Sequence, residues 1–185
     1  PIMQGECNTF DQDTGTFGEV RSHLDEDNMP WRVALNWQYS TDTLVYASVA
    51  EGFKSGVTPV NAANLAVQNA PVEQEQLLAY ELGLKATLLE QRIQFNASTF
   101  YYDYQDKQLS VYFADPIFTT LARLANVPDT AAYGLDTQLS WRLSSSLTAM
   151  LAGTLLHTEV KNYTGINALG QPQDDSRQTW WSISG

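Results

Sequence analysis

Tyr133-Gly134-Leu135-Asp136-Thr137-Gln138-Leu139-Ser140-Trp141-Arg142-Leu143 places Tyr133, Leu135, Thr137, Leu139, Trp141 and Leu143 on one parity and Gly134, Asp136, Gln138, Ser140 and Arg142 on the other. A strand sends successive side chains to opposite faces, so this period of two describes a strand with one greasy and one wet face. Tyr133 and Trp141 lie eight positions apart on the greasy parity. At ~3.3 Å per residue and ~40° of tilt, that separation spans roughly 20 Å along a membrane normal. The apolar band of a membrane barrel is ~25 Å tall between two aromatic girdles. Tyr133 is therefore expected at the outer interface and Trp141 at the inner one.

The same alternation recurs on both sides of this stretch. Ile93, Phe95, Ala97, Thr99 and Tyr101 alternate with Arg92, Gln94, Asn96 and Ser98, and Leu78, Tyr80, Leu82, Leu84, Ala86 and Leu88 with Ala79, Glu81, Gly83, Lys85 and Thr87. Trp31 to Ser40 reads as a strand. Leu44 to Ser55 is expected to put Val45, Ala47, Val49 and Phe53 on the greasy face, and Leu147 to Glu159 puts Leu147, Ala149, Leu151 and Leu155 there. A further strand opens at Thr179-Trp180-Trp181. A two-residue turn at Glu90-Gln91 would pair Leu89 with Arg92 and set Leu84 opposite Ala97 and Tyr80 opposite Tyr101.

Connections alternate in length. Short ones at 41–43, 89–91 and 144–146 are interleaved with long ones at 56–76, 114–129 and 160–178. Outer-membrane barrels are built this way, with tight periplasmic turns and long extracellular loops, whereas loops of ~20 residues are uncommon in compact soluble domains. The first full strand is thus expected to run inward and the second outward.

Composition narrows the function classes. No stretch approaches the ~18 consecutive apolar residues of a membrane helix, so the chain is either soluble or crosses membranes as strands. Ten Lys and Arg against 21 Asp and Glu give a net charge of −11. Nucleic-acid binding is disfavoured, since phosphate backbones are held by clustered cations. Much of the acidity lies in residues 1–30, where Glu6, Asp11, Asp13, Glu19, Asp25, Glu26 and Asp27 face Arg21 alone, as in a solvated loop. Cys7 is the single cysteine and has no partner for a disulfide within the chain.

Four segments carry a family resemblance. Tyr46-Ala47-Ser48-Val49-Ala50-Glu51-Gly52-Phe53-Lys54-Ser55-Gly56 resembles the Tyr-Ala-Ser…Arg-Gly-Phe-Lys/Arg-Ser-Gly strand of TonB-dependent outer-membrane receptors. Glu75 to Lys85 is similar to that family's Glu-x-Leu-x-Ala-Tyr-Glu-Leu-Gly-Leu-Lys segment, and Phe95 to Tyr104 to its Leu-Asn-Ala-Ala-x-Phe-Tyr-Tyr-Asp-Tyr strand. Tyr133-Gly134-Leu135-Asp136 matches the corner opening the next strand. The chain departs from the family at Glu51, where Arg is usual, and at Glu90-Gln91, where Asp-Gly is frequent. The resemblance implies an all-β fold: about seven strands of a transmembrane antiparallel β-barrel of about 22 strands. It further implies a plug domain, a TonB-engaging segment and final strands outside residues 1–185. The implied place is the bacterial outer membrane, amid lipid and lipopolysaccharide. The implied partners are TonB, through the N-terminal region, and a small nutrient ligand such as a metal chelate.

Catalysis finds little support. Glu81, Lys85, Arg92, Asp136 and Arg142 share the wet face, where a polar lumen accounts for them without acid–base chemistry. His23 and His157 stand apart from any second ligand at zinc spacing. Asp11-Gln12-Asp13-Thr14-Gly15 and Asp25-Glu26-Asp27-Asn28 do not complete a calcium loop. No cofactor or metal is expected, and Asn96-Ala97-Ser98 and Asn162-Tyr163-Thr164 carry no glycan signal on a bacterial barrel. Ligand contact is expected at the outer ends and loops, from Lys54, Asn61, Asn64, Arg123, Asn126 and Tyr163. The function expected is import of a scarce nutrient such as a siderophore–iron complex. A passive porin-type channel and a secreted carbohydrate-binding β-sandwich are the alternatives, the latter expected to have short loops at both ends.

Overall fold

The computed structural model describes residues 9–11, 13–19, 21–58, 66–115, 119–166, 172–174 and 178–184. A small hairpin comes first, β1 (Thr9–Asp11) with β2 (Thr16–Gly18). Its turn is closed by Asp11, whose carboxylate accepts the Asp13 N–H and the Thr14 hydroxyl, both at 2.9 Å. These bonds hold the Asp11 carboxyl below the usual carboxylate range.

Next come β3 (Trp31–Ser40), β4 (Thr43–Lys54), a 3-10 turn at Ala66–Asn69, β5 (Glu75–Leu88), β6 (Ile93–Asp115), β7 (Thr119–Arg142) and β8 (Thr148–Asn162). A second small hairpin, β9 (Thr164–Ile166) with β10 (Pro172–Asp174), precedes β11 (Gln178–Ser184). Seven strands form one antiparallel sheet in the order β3-β4-β5-β6-β7-β8-β11, a meander in which chain neighbours pair.

The register is the one the alternation predicts: Leu84 faces Ala97 and Tyr80 faces Tyr101. Tyr101 then faces Tyr133, and Tyr133 faces His157. The result is one aromatic row across four strands, with ring centroids 6.3, 6.1 and 4.7 Å apart. Below it Leu35, Leu82, Leu135, Leu151 and Ile183 stand exposed on the same face, Ile183 at 82%. A sandwich would bury such a face against a second sheet. Among the described residues no second layer covers it, and only Val72, Val127 and Ala131 are buried apolar residues. The sandwich alternative is thereby set aside.

Two glycines on the other face accommodate aromatic rings. Tyr46 is the register partner of Gly83, and Phe100 of Gly134. A Cβ on Gly83 would collide with the Tyr46 ring, and one on Gly134 with the Leu155 carbonyl and the Phe100 ring. All four residues belong to the resembling segments, so these glycines serve close approach of a ring or neighbouring backbone.

The β5–β6 connection is not the two-residue turn expected: β5 ends at Leu88 and β6 begins at Ile93, so 89–92 form a four-residue turn and Leu89 does not join the ladder opposite Arg92. The Arg92 N–H donates to the Leu89 carbonyl at 3.1 Å, and Leu89, Glu90 and Gln91 have φ of 51°, 53° and 66°. Three consecutive left-handed residues reverse the chain there and keep the register that parity sets. Glu51 is equally well placed. It accepts hydrogen bonds from Trp31 Nε1 and Gln76 Nε2, both at 2.5 Å.

The expectation of a long loop at 114–129 is not met: β6 runs to Asp115 and β7 starts at Thr119. Proline 128 lacks an N–H and ordinarily ends a ladder. Here Gln105 pairs with Asp129 and Lys107 with Val127, so Pro128 falls at a step where no partner is required. Asp106, at the same step, takes a φ of 51°. The ladder resumes beyond it.

Candidate outer-end site on the polar face

Even-numbered β6 residues share a face with Glu81, Lys85 and Asp136, since Glu81 pairs with Phe100, Lys85 with Asn96 and Ser98 with Asp136. Midway along this face Tyr46 donates to Glu81 at 2.6 Å, and the Lys85 ammonium stands 5.7 Å from the Tyr46 ring centre. A recess of about 80 Å³ lies beside them, where Tyr46, Lys85, Asn96, Ser98, Asp136 and Gln138 meet the edges of Leu84, Ala97 and Thr137. Such a polar surface matches a barrel lumen.

At the outer end the face is more elaborately built. Phe100, Tyr102 and Tyr104 alternate along β6, with the first two rings stacked at 4.9 Å. The Lys107 ammonium stands 3.3 Å from the centre of the Tyr104 ring. Burial holds Lys107 below the ordinary lysine range, while Glu75 pulls it up and Lys54 pushes it further down. Lys54 and Glu75 are direct register partners at the ends of β4 and β5.

Gln108, 6% exposed, ties these elements together. Its side-chain amide donates towards the carbonyls of Lys54 (3.4 Å), Ser55 (2.9 Å) and Glu73 (3.1 Å), and its backbone N–H donates to Glu75 Oε2 (2.9 Å). Its register partner Asn126 accepts the Glu73 N–H at 2.8 Å and donates to the carbonyls of Glu73 (2.9 Å) and Asp106 (2.7 Å). Two amides thus fasten both ends of the β4–β5 connection to the β6–β7 hairpin. The connection is itself clasped from the N-terminal side. Glu26 accepts the Gly56 N–H with both carboxylate oxygens (3.0 and 2.9 Å), and Asn28 donates to Gln74 at 2.9 Å. A side chain at Gly56 would run into Glu26 and the Val72 carbonyl.

A family model described as "TonB dependent receptor-like, beta-barrel" matches residues 8–180. The chain belongs to the TonB-dependent receptor β-barrel family. Comparison with curated proteins gave no significant match. Among solved structures, the ferric yersiniabactin uptake receptor FyuA from Yersinia pestis matches 73% of this chain at 22% identity and a TM-score of 0.57. The match spans 19% of FyuA's chain, and at that identity the likeness is one of fold. The copper transporter OprC aligns with 82% of this chain and 30% of its own at 14% identity, with a TM-score of 0.48. The siderophore receptor PirA from Acinetobacter baumannii aligns with 84% and 34% at 11% identity, with a TM-score of 0.42.

On this TonB-dependent receptor wall the predicted contact residues scatter. Lys54 is exposed at the end of β4 and belongs to the outer-end cluster. Asn126 joins the same cluster, but its amide is committed to backbone. Arg123 lies further along β7, opposite Val111, and Tyr163 lies between β8 and β9. Asn61 and Asn64 are outside the described residues. Sequence reasoning passed over Tyr104, Lys107 and Gln108. The readable signal was Phe100-x-Tyr102-x-Tyr104, a run of aromatics on the wet parity of a strand.

Proposed function

We propose that this chain forms part of the barrel wall of an energised outer-membrane receptor that imports a scarce nutrient such as a siderophore–iron complex. The observation carrying this reading is family membership across residues 8–180, joined to a polar inner face whose outer end is a fastened cluster rather than an open rim. In this reading the apolar face meets membrane lipid and lipopolysaccharide. The long connections face outside, and a plug and a TonB-engaging segment belong to the longer protein. The wall contributes binding and guidance; it performs no bond chemistry.

Energy coupling separates this reading from a passive channel, because porin flux follows the solute gradient alone. The test uses the full-length receptor in cells fed an iron chelate that it accumulates. A proton uncoupler, or loss of TonB, is expected to stop accumulation and leave surface binding intact. Uptake undiminished under both conditions would overturn the import mechanism and favour a porin.

A further inference from the structure

We infer that residues 22–28 form a strap that joins two successive connections, the one leading into β3 and the one between β4 and β5, into a single unit that opens together or not at all. Glu26 is its latch and Gly56 its catch. The strap is independent of what the barrel carries. Its first support is where it touches. Ser22 meets Thr58 hydroxyl to hydroxyl at 3.3 Å, Glu26 takes the Gly56 N–H, and Asn28 donates to Gln74 at 2.9 Å. Gly56 and Thr58 lie on the limb leaving β4, and Gln74 on the limb returning to β5. The strap therefore spans both limbs.

The limbs are also tied to each other. Val57 and Val72 exchange both N–H···O bonds at 2.9 Å, and Val72 is buried. Peeling the strap from one limb would pull on the other. Two of the strap's contacts, moreover, sit beside residues that the β6–β7 hairpin holds. Gly56 follows Ser55, whose carbonyl accepts from Gln108, and Gln74 follows Glu73, to which both Gln108 and Asn126 are bonded. Strap and hairpin grip neighbouring peptide units, so loosening either grip frees backbone that the other needs. Downstream, the strap leads into Trp31, whose indole N–H donates to Glu51 of β4.

Closeness of fit is the third support. A Cβ on Gly56 would collide with the Glu26 carboxylate and the Val72 carbonyl, so the strap can come this near only where the catch has no side chain. The Gly56 N–H meets both carboxylate oxygens, and a bond to an ionised acceptor is stronger than a neutral one. Residues 21–30 form no strand, so the strap has no ladder to hold it. A segment ordered by side-chain contacts rather than by a ladder opens readily once its strongest contact goes. Loss of the Glu26 bond therefore releases the strap, and with it one of the two grips on the β4–β5 connection.

Hydrogen exchange on the full-length receptor in detergent tests the strap. Glu26→Ala is expected to speed exchange about tenfold in residues 22–28 and, equally, in 55–58 and 72–74. Glu26→Gln keeps an acceptor oxygen and is expected to stay within about threefold of the wild type. Gly56→Ala is expected to speed exchange in residues 22–28 as well, although Glu26 lies 30 residues away in sequence. Both changes break one contact, so the double variant is expected to exceed neither single by more than about twofold. Unchanged heat-modifiable mobility on gels verifies that each variant is folded, and Glu26→Ala decides alone where Gly56→Ala does not fold. Faster exchange confined to the altered residue's own segment, or effects that multiply in the double variant, would overturn the strap.

Discussion

Tyr46 occupies the space that a side chain on its register partner Gly83 would need, and from there its hydroxyl reaches Glu81 at 2.6 Å. Gly134 is hemmed in more rigidly, by the Leu155 carbonyl as well as by Phe100, whereas Gly52 has open space around its Cα. A ring can swing aside and a paired backbone cannot. Gly134→Ala is therefore expected to destabilise the barrel most, by about 2–3 kcal/mol, and Gly83→Ala by about 1–2 kcal/mol. Gly52→Ala should be neutral or slightly favourable, within ~0.5 kcal/mol. Urea unfolding of the full-length receptor in detergent gives the ranking, and Gly52→Ala as the worst of the three would refute the close-approach account.

The β5–β6 turn carries non-glycine residues where φ is positive, at Leu89, Glu90 and Gln91. Replacing Glu90-Gln91 by Asn-Gly supplies the residues that accept this conformation at least cost. A stability gain of about 1 kcal/mol is expected, with the binding properties of the outer end unaltered. A loss of stability would mean the hairpin uses a different turn.

Charge should discriminate the two faces. Leu84 lies on the greasy parity midway between the Tyr80 row and the inner end of β5, and Gln138 lies on the polar face. Leu84→Arg is expected to cost ~2–4 kcal/mol in lipid, and Gln138→Arg less than ~1 kcal/mol. Folding yields into lipid vesicles measure both, and the reverse order would exchange the faces.

Gln108→Ala removes donors to three carbonyls at once. Two of those carbonyls, of Ser55 and Glu73, belong to the β4–β5 connection, so the expected effect is local, about 1–3 kcal/mol of opening free energy for residues 55–58 and 66–74. Faster hydrogen exchange and proteolysis there, with an unchanged global melting temperature, are the expected readouts. A fall in the melting temperature of the whole barrel would contradict a local latch.

Lys107 gives the outer end a pH dependence. Its folded pKa is lowered by burial, so the folding cost of its charge is fully present below that folded pKa and is relieved as pH rises towards the ordinary lysine value. Stability of the full-length receptor in urea should therefore rise with pH through that window in the wild type and lose this component in Lys107→Met. Parallel profiles for the two proteins would remove Lys107 as the source of the dependence.

Much of this architecture was legible because membrane and lumen impose opposite demands on alternate residues. Leu84 opposite Ala97 and Tyr80 opposite Tyr101 followed from parity and one turn. The β6–β7 extension did not, since Leu121-Ala122-Arg123-Leu124-Ala125 lies beyond the aromatic row, where nothing enforces alternation, and Pro128 reads as a break. Lys54 could be placed at the outer end from its motif. Gln108 could not be found, because its bonds go mostly to backbone carbonyls that every sequence possesses. Asn126 was chosen for its polarity, and that same polarity is spent on backbone.

The meander order has a kinetic meaning. Each large strand pairs with its chain neighbours, so no pairing step has to wait for a distant part of the chain. Loop-closure entropy grows only slowly with length, and pairing of neighbours keeps each increment small. The wall can therefore zip hairpin by hairpin, and the unusually long β6–β7 ladder is the natural place to begin. Each new strand also covers the open edge left by the one before, shortening the time for which an unpaired edge is exposed to other chains.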